Sequence, residues 1–189
     1  MSTARVSHSQ LEARKAPNIG YLLALLALGC ASYPAFSQSA SLERNATEQE
    51  IQGNWRLIPL PDALLPKGSG NPWPAACQWY SYLPTGVLKS IDKTLVPCDT
   101  LTSTQLNEIM NHVQAVVSWK YDLSPVYNKA LLIVTRSDVK GYAEYWEPHY
   151  VHTPFSKAGA EFKRGDLLLY LVNLQSKKIM WIRHLERVQ

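Results

Sequence analysis

The chain has 189 residues, 46% of them hydrophobic, and a formal net charge of +4. Lysine and arginine form no long block, which excludes the electrostatic footprint of a nucleic-acid-binding protein. A chain of this length supports one hydrophobic core of ordinary size rather than several.

The first predicted element is an uncharged apolar run, residues 21–28, which follows a segment with three basic residues and one acidic residue. The run is about eight residues long, well short of the roughly 20 that a membrane-spanning helix needs. A basic flank followed by a short apolar core is typical of an export signal. We therefore expect an export signal over residues 1–30, a flexible tether over 31–50 and a folded domain over 51–189.

Two processing patterns follow the apolar run, and both stay open. Ala35 and Ser37 suit an ordinary signal peptidase, which would remove Cys30. The stretch Ala27-Leu28-Gly29-Cys30 resembles the lipobox of bacterial lipoproteins. This resemblance implies that Cys30 is lipidated and anchors the protein to a membrane in the periplasm or at the outer membrane. We favour lipidation.

The remaining cysteines, Cys77 and Cys98, form an even pair once Cys30 is lipidated or removed. An even pair in an oxidising compartment predicts a disulfide. The crosslink would close a loop of about 22 residues and contribute about 3 kcal/mol. The alternative is two buried free thiols.

From residue 51 onward, short β-rich runs alternate with turn signals, which predicts an all-β fold with one helix. Short connections make neighbouring strands antiparallel, and eight strands can close into an up-and-down barrel. A two-sheet sandwich explains the same periodicity, although we favour the barrel. The eight predicted strands are 53–60, 77–83, 87–92, 117–123, 129–135, 142–151, 166–172 and 179–188.

One helix is predicted between the third and fourth strands, where Thr102 and Gln105 match a capping box. We expect this helix to lie across the sheet or to plug one end of the barrel. The strand at 166–172 is apolar on both faces, so we expect the helix or the tether to cover its outer face. The apolar residues at helical spacing are Leu106, Ile109, Met110, Val113 and Val117.

Gly53-Asn54-Trp55 opens the first strand, and Arg183 lies in the last one. Together with the stretches 71–88, 136–146 and 164–173, these residues resemble the lipocalin-like domains of bacterial envelope proteins. The resemblance implies a calycin-type barrel in which Trp55 packs beneath Arg183. The predicted helix departs from the lipocalin pattern, because lipocalins usually place their helix after the last barrel strand.

Aromatic residues on the predicted strands suggest a cavity for a small hydrophobic or amphipathic ligand. The alternative is a filled barrel that acts as an interaction or inhibitor module for another envelope protein through loop 61–76, around Trp73. The predicted ligand-binding residues are Tyr80, Tyr82, Trp119, Tyr145 and Tyr170.

The sequence carries no motif that predicts an enzyme, a metal site or a cofactor. It has neither a Gly-x-Ser-x-Gly nucleophile motif nor a glycine-rich phosphate loop. His149 and His152, near Glu144 and Glu147, are metal-ligand candidates, but residues three apart on a strand point to opposite faces. We therefore expect no catalysis and no bound cofactor.

Overall fold

The computed structural model describes residues 41–68, 77–93, 98 and 100–189. The predicted export signal with Cys30, the tether residues 31–40 and Trp73 lie outside the described residues. Within the remainder of the predicted tether, the chain forms a short strand and a short helix, which are the first two elements of the fold.

The described part of the chain is mostly β-structure, with every paired strand antiparallel. Residues of opposite parity along each strand point to opposite faces, so one face of a strand can be buried while the other meets solvent. The strands are β1 (Glu43–Asn45), β2 (Gly53–Ile58), β3 (Cys77–Tyr82), β4 (Val87–Lys93), β5 (Val117–Ser124), β6 (Lys129–Arg136), β7 (Ala143–Val151), β8 (Phe155–Lys157), β9 (Ala160–Phe162), β10 (Leu167–Val172) and β11 (Ile179–Arg187).

Eight of these strands form one closed antiparallel barrel. Each strand from β2 to β6 pairs with the next one along the chain. Strand β7 then pairs with β10, β10 with β11, and β11 returns to β2. The predicted eight-stranded antiparallel barrel is confirmed, and the sandwich is excluded. Strands β1, β8 and β9 were not predicted, because alternation over three residues gives no periodic signal.

The described residues form two α-helices, α1 (Glu48–Ile51) and α2 (Ser103–Asn111), and one turn of 3-10 helix (Asp62–Leu64), and α2 lies in the chain between β4 and β5. The predicted capping box is present, since the Gln105 backbone N–H donates to Thr102 Oγ1 and the Thr102 N–H donates to Gln105 Oε1. The helix is shorter than its apolar pattern: Ile109 is 38% exposed, and Val117 begins β5. None of the described helices is long and apolar enough to cross a bilayer.

The outer faces of β3 and β10 are covered by different elements. Trp79 and Cys77 of β3 pack against Leu106 and Met110 of α2, so the helix lies on the outside of the barrel. The outer face of β10 packs against the β8–β9 hairpin, through contacts that include Phe162. The main cover of this face is the hairpin, so the expectation that the helix or the tether provides it is wrong. The hairpin follows β7 directly and folds back onto the neighbouring strand.

The barrel has two ends that differ in their connections. Strand β2 starts beside α1, and successive barrel strands alternate in direction. The connections β3–β4, β5–β6 and β7–β10 therefore lie at the end that carries α1, called here the α1 end. The connections β2–β3, β4–β5, β6–β7 and β10–β11 lie at the other end, called here the opposite end.

Candidate functional site

Aromatic side chains fill the inside of the barrel. Tyr80 and Tyr82 of β3 point inward, as does Trp119 of β5, so three of the five predicted ligand-binding residues belong to the interior cluster. Tyr82 and Trp119 meet edge to face, with ring centroids 5.8 Å apart. The other large members of this cluster are Trp55, Trp146, Trp181, Leu132, Leu167, Leu169 and Leu185.

The interior cluster is tightly packed. Tyr82, Trp55 and Trp146 each have 0% of their surface accessible to solvent, and Tyr80 and Trp119 have 5% each. A side chain that lines an empty cavity large enough for water retains accessible surface on the cavity side. The interior of this barrel is therefore occupied by its own side chains around these residues, as occurs in small eight-stranded barrels.

The other two predicted ligand-binding residues lie on the outer face. Tyr145 has the opposite parity to the inward-pointing Trp146 beside it on β7. Tyr170 packs among the residues under the β8–β9 hairpin, and its hydroxyl donates to the Glu43 carboxylate at 3.0 Å. The prediction that Tyr145 and Tyr170 line the inside of the barrel is therefore wrong. The aromatic residues on β7 and β10 do not all lie on one face of their strand.

A buried cation lies among the interior rings. Arg183 is 5% exposed, and its guanidinium carbon lies 4.3 Å from the ring centroid of Trp146 and 5.0 Å from that of Tyr80. The Tyr80 hydroxyl donates to Gln78 Oε1 at 2.5 Å. The Tyr82 hydroxyl interacts with the Arg183 guanidinium but makes no hydrogen bond of good geometry to a described residue, and burial raises its pKa. The barrel thus contains a guanidinium and a weakly satisfied hydroxyl among aromatic rings.

The arginine that stacks on Trp55 is Arg187, which corrects the expectation that Arg183 does so. The Arg187 guanidinium carbon lies 4.3 Å from the Trp55 ring centroid, because the β2–β11 register pairs these two residues directly. Arg187 also donates to the carbonyls of Gln52 and Glu50, at 3.1 and 2.8 Å. The Trp55 indole N–H donates to the Ile51 carbonyl at 2.8 Å.

Gly53 is required beside this arginine. Its φ is +120°, and a Cβ at this position would lie 2.6 Å from Arg187 Nη1. A residue with a side chain would therefore be strained in its backbone and would push the guanidinium out of its position. The Gly-x-Trp stretch thus serves to close the α1 end of the barrel.

A charged cluster joins β1 to the outer face of β7. His149 Nε2 lies 2.8 Å from Glu147 Oε1, and His149 Nδ1 lies 3.3 Å from Glu43 Oε2. Burial would lower the pKa of His149, but the two carboxylates outweigh it and raise this pKa above 6.5. Lys129 contacts the same Glu147 carboxylate at 2.6 Å. The cluster therefore fastens the first strand to the barrel.

This cluster does not form a metal site with His152. The imidazole of His152 contacts the Ser41 carbonyl and the Thr153 hydroxyl instead. Among residues that the structure describes, no three histidine, cysteine, aspartate or glutamate side chains are grouped as a metal ion would require. The carboxylate of Glu144 is likewise engaged, since it accepts hydrogen bonds from Tyr142 and from the Trp146 indole.

A cleft of about 320 Å³ lies outside the barrel, between the β8–β9 hairpin and strands β2 and β11. His184 lines it and is 2% exposed, with Nε2 2.6 Å from Asp166 Oδ2. Arg56 and Lys163 both contact the Glu186 carboxylate, at 2.5 and 2.6 Å. The two cations of the cleft therefore share one carboxylate, whereas Glu161, which also lines it, takes part in none of these pairs. No local sequence signal marks this cleft, because its walls come from three separate parts of the chain.

The cysteines that were predicted to pair do so. Cys77 and Cys98 form a disulfide with a Cα–Cα distance of 5.5 Å. The bond ties the start of β3 to the chain ahead of α2, next to the contact between that helix and the barrel. A disulfide is compatible with an oxidising compartment.

Comparison with known proteins identifies no relative: no protein-family model, curated protein or solved structure matches this chain.

Proposed function

We propose that this protein is an exported, non-enzymatic binding module whose barrel interior is a structural core and whose binding surface lies on the outside. The basic and apolar N-terminal sequence supports export, and the Cys77–Cys98 disulfide is compatible with it. Lipidation of Cys30 would hold the module at the membrane of the periplasm or outer membrane, where an envelope protein or the membrane itself is within reach.

The packing of the interior carries this proposal. Trp55, Tyr82 and Trp146 have no accessible surface, and neither do four leucines of the same cluster, Leu132, Leu167, Leu169 and Leu185. A carrier for a small hydrophobic ligand needs an internal space that its own side chains leave free. A barrel that is filled by four tryptophans and two tyrosines instead offers a rigid support for surface loops.

A titration with cis-parinaric acid, a fluorescent polyene fatty acid, tests the proposal. We expect no saturable binding to the native protein. Leu169→Ala is the control for a cavity and is titrated with benzene instead, because truncating a fully buried leucine leaves an apolar space that admits benzene but not a fatty acid. Stoichiometric binding of the fatty acid to the unaltered protein, with quenching of tryptophan fluorescence, would contradict a filled core.

A second function is favoured by the buried pair of polar groups: binding of a small amphipathic ligand with an acidic head inside the barrel. The Arg183 guanidinium and the Tyr82 hydroxyl are the groups that an acidic head group would seek, and Tyr80 and Trp119 would contact its apolar part. Such a ligand requires the interior side chains to move apart, so this function ranks below the first.

The variant Tyr82→Phe separates the two functions. A buried hydroxyl without a hydrogen bond of good geometry costs about 1–3 kcal/mol, so in a filled barrel its removal leaves stability unchanged or raises it. If the hydroxyl binds a ligand head group, the same variant weakens the binding of a fatty acid. Urea unfolding and the parinaric acid titration on one preparation give both readouts, with Tyr145→Phe as the control on the outer face.

A further inference from the structure

Two neighbouring connections at the opposite end of the barrel carry unpaired positive charge. The β6–β7 connection contains Lys140, and the β10–β11 connection contains Lys177 and Lys178, all three exposed. In the described ranges, no carboxylate lies within ion-pair distance of these three ammonium groups. The acid in these connections, Asp138, is already bound to Arg136 at 2.7 Å. The surplus of charge at this site is therefore positive.

Apolar side chains are exposed in or next to the same two connections. Val139, in the β6–β7 connection, is 42% exposed, and Ile179 and Met180, the first two residues of β11, are 44% and 45% exposed. Strands β7 and β10 are paired neighbours, and Leu171 near the end of β10 lies opposite Trp146 near the start of β7. The connections that precede β7 and follow β10 therefore emerge side by side. We call the six residues Val139, Lys140, Lys177, Lys178, Ile179 and Met180 the basic rim.

We propose that the basic rim is a docking surface for an anionic lipid bilayer. Lysines attract the negative headgroups, and the apolar side chains between them enter the interfacial region, as in other peripheral membrane contacts. This inference deepens the proposed function, because it names the partner of the outer surface. An acidic protein surface would satisfy the lysines but would leave three exposed apolar side chains without a matching layer.

Exposed apolar side chains also occur at the α1 end, but there the nearby lysines are paired with carboxylates. Leu123 at the end of β5 and Val126 on the β5–β6 connection are more exposed, at 64% and 66%. The charges near them are compensated, since Lys120 contacts Asp122 and Lys129 contacts Glu147. Apolar side chains are therefore exposed at both ends, but the lysines beside Leu123 and Val126 are paired with carboxylates, whereas those of the basic rim are not paired with any carboxylate that the structure describes.

A local probe on the full chain tests the proposal, because the apolar N-terminal run could by itself bring every variant to a vesicle. In a Cys30→Ser background, which removes the unpaired cysteine, Ile179→Cys is labelled with the environment-sensitive dye bimane. Val126→Cys, labelled in the same way, is the matched control at the α1 end. Each protein is mixed with vesicles of phosphatidylcholine alone or of phosphatidylcholine with phosphatidylglycerol.

We expect the label at position 179 to shift its emission to shorter wavelength with phosphatidylglycerol vesicles and to lose that shift as salt is raised. Replacing Lys140, Lys177 and Lys178 by glutamine should abolish the shift. Replacing Lys120, Lys157 and Arg164 by glutamine, as the charge-matched control, should leave it unchanged. The label at position 126 should not respond.

The proposal is overturned if position 126 responds in place of 179, if neither position responds, or if the neutral vesicles give the same shift. A response of position 179 to polyglutamate but not to vesicles would assign the rim to an acidic protein and would also overturn it. None of these results depends on whether the barrel is filled, which the fatty acid titration measures without any vesicle.

Discussion

The two ends of the barrel differ in how their polar groups are satisfied. At the α1 end, Trp55 is covered by Arg187, the arginine donates to two backbone carbonyls, and Arg44 contacts Glu50 at 2.5 Å. At the opposite end, the lysines of the basic rim have no carboxylate partner in the described part of the chain. The difference is the basis for assigning a structural role to the α1 end and for proposing the opposite end as the docking surface.

The largest effect expected from this difference comes from Trp55→Ala at the α1 end. The side chain is fully buried, so its truncation should lower the free energy of unfolding by about 4 kcal/mol. The matched change at the opposite end, Met180→Ala, should alter it by no more than about 0.5 kcal/mol. Urea unfolding followed by tryptophan fluorescence measures both. Equal losses in the two variants would contradict the different roles given to the two ends of the barrel.

The next effect concerns the disulfide that ties α2 to β3. The double variant Cys77→Ser, Cys98→Ser removes the crosslink and should lower the free energy of unfolding by about 3 kcal/mol. Urea unfolding of the variant against the oxidised protein measures the loss. A Cys30→Ser variant is the control, and it should unfold like the unaltered protein. If the double variant also unfolds like the unaltered protein, the disulfide does not stabilise the fold.

A smaller effect is expected from Arg187→Ala. The side chain is exposed on one side, so its stacking on Trp55 and its two hydrogen bonds should together contribute about 1–2 kcal/mol. Thermal unfolding of Arg44→Ala is measured beside that of Arg187→Ala. The loss for Arg44→Ala should be smaller, because an exposed ion pair such as Arg44–Glu50 contributes less than about 1 kcal/mol. A larger loss of stability in Arg44→Ala than in Arg187→Ala would mean that the Arg44–Glu50 ion pair, and not Arg187, closes the α1 end.

The smallest effect is a pH dependence at β1. The pKa of His149 is raised by Glu43 and Glu147, so its contribution to stability is fully present below pH 6.5 and is lost as pH rises through the raised pKa. The pKa values of the two carboxylates are lowered, so their contributions are lost as pH falls below 4.5. The stability difference between the unaltered protein and His149→Gln should therefore shrink on the alkaline side of pH 6.5. A constant difference across that range would contradict the role given to His149.

Much of the fold was predictable because its elements are long enough to show a period. The capping box at Thr102 and Gln105 located α2. Six to ten residues of β-rich sequence between turn signals located each barrel strand. Strand β1 and the β8–β9 hairpin have three residues per strand, and their position depends on contacts with β7 and β10 that no local pattern encodes.

The interior was predictable only in part. On β3, Tyr80 and Tyr82 share one parity, and the structure places both inside. On β7, Tyr145 and Trp146 are adjacent aromatic residues, so the pattern does not distinguish the inner residue from the outer one. The choice between Arg183 and Arg187 depended on the register of β11 against β2, which pairs Arg187 with Trp55. Both arginines point inward, so parity could not separate them.

If the barrel interior is a packed core, it has no room for a xenon atom. Diffraction from crystals of the protein under xenon pressure measures this. Xenon enters apolar cavities and is visible by its scattering. We predict no xenon site among Tyr80, Trp119 and Trp181 in the unaltered protein, and one near the truncated side chain in Leu169→Ala. A well-occupied xenon site among those three aromatic residues in the unaltered protein would contradict a packed core and return the ligand to the inside of the barrel.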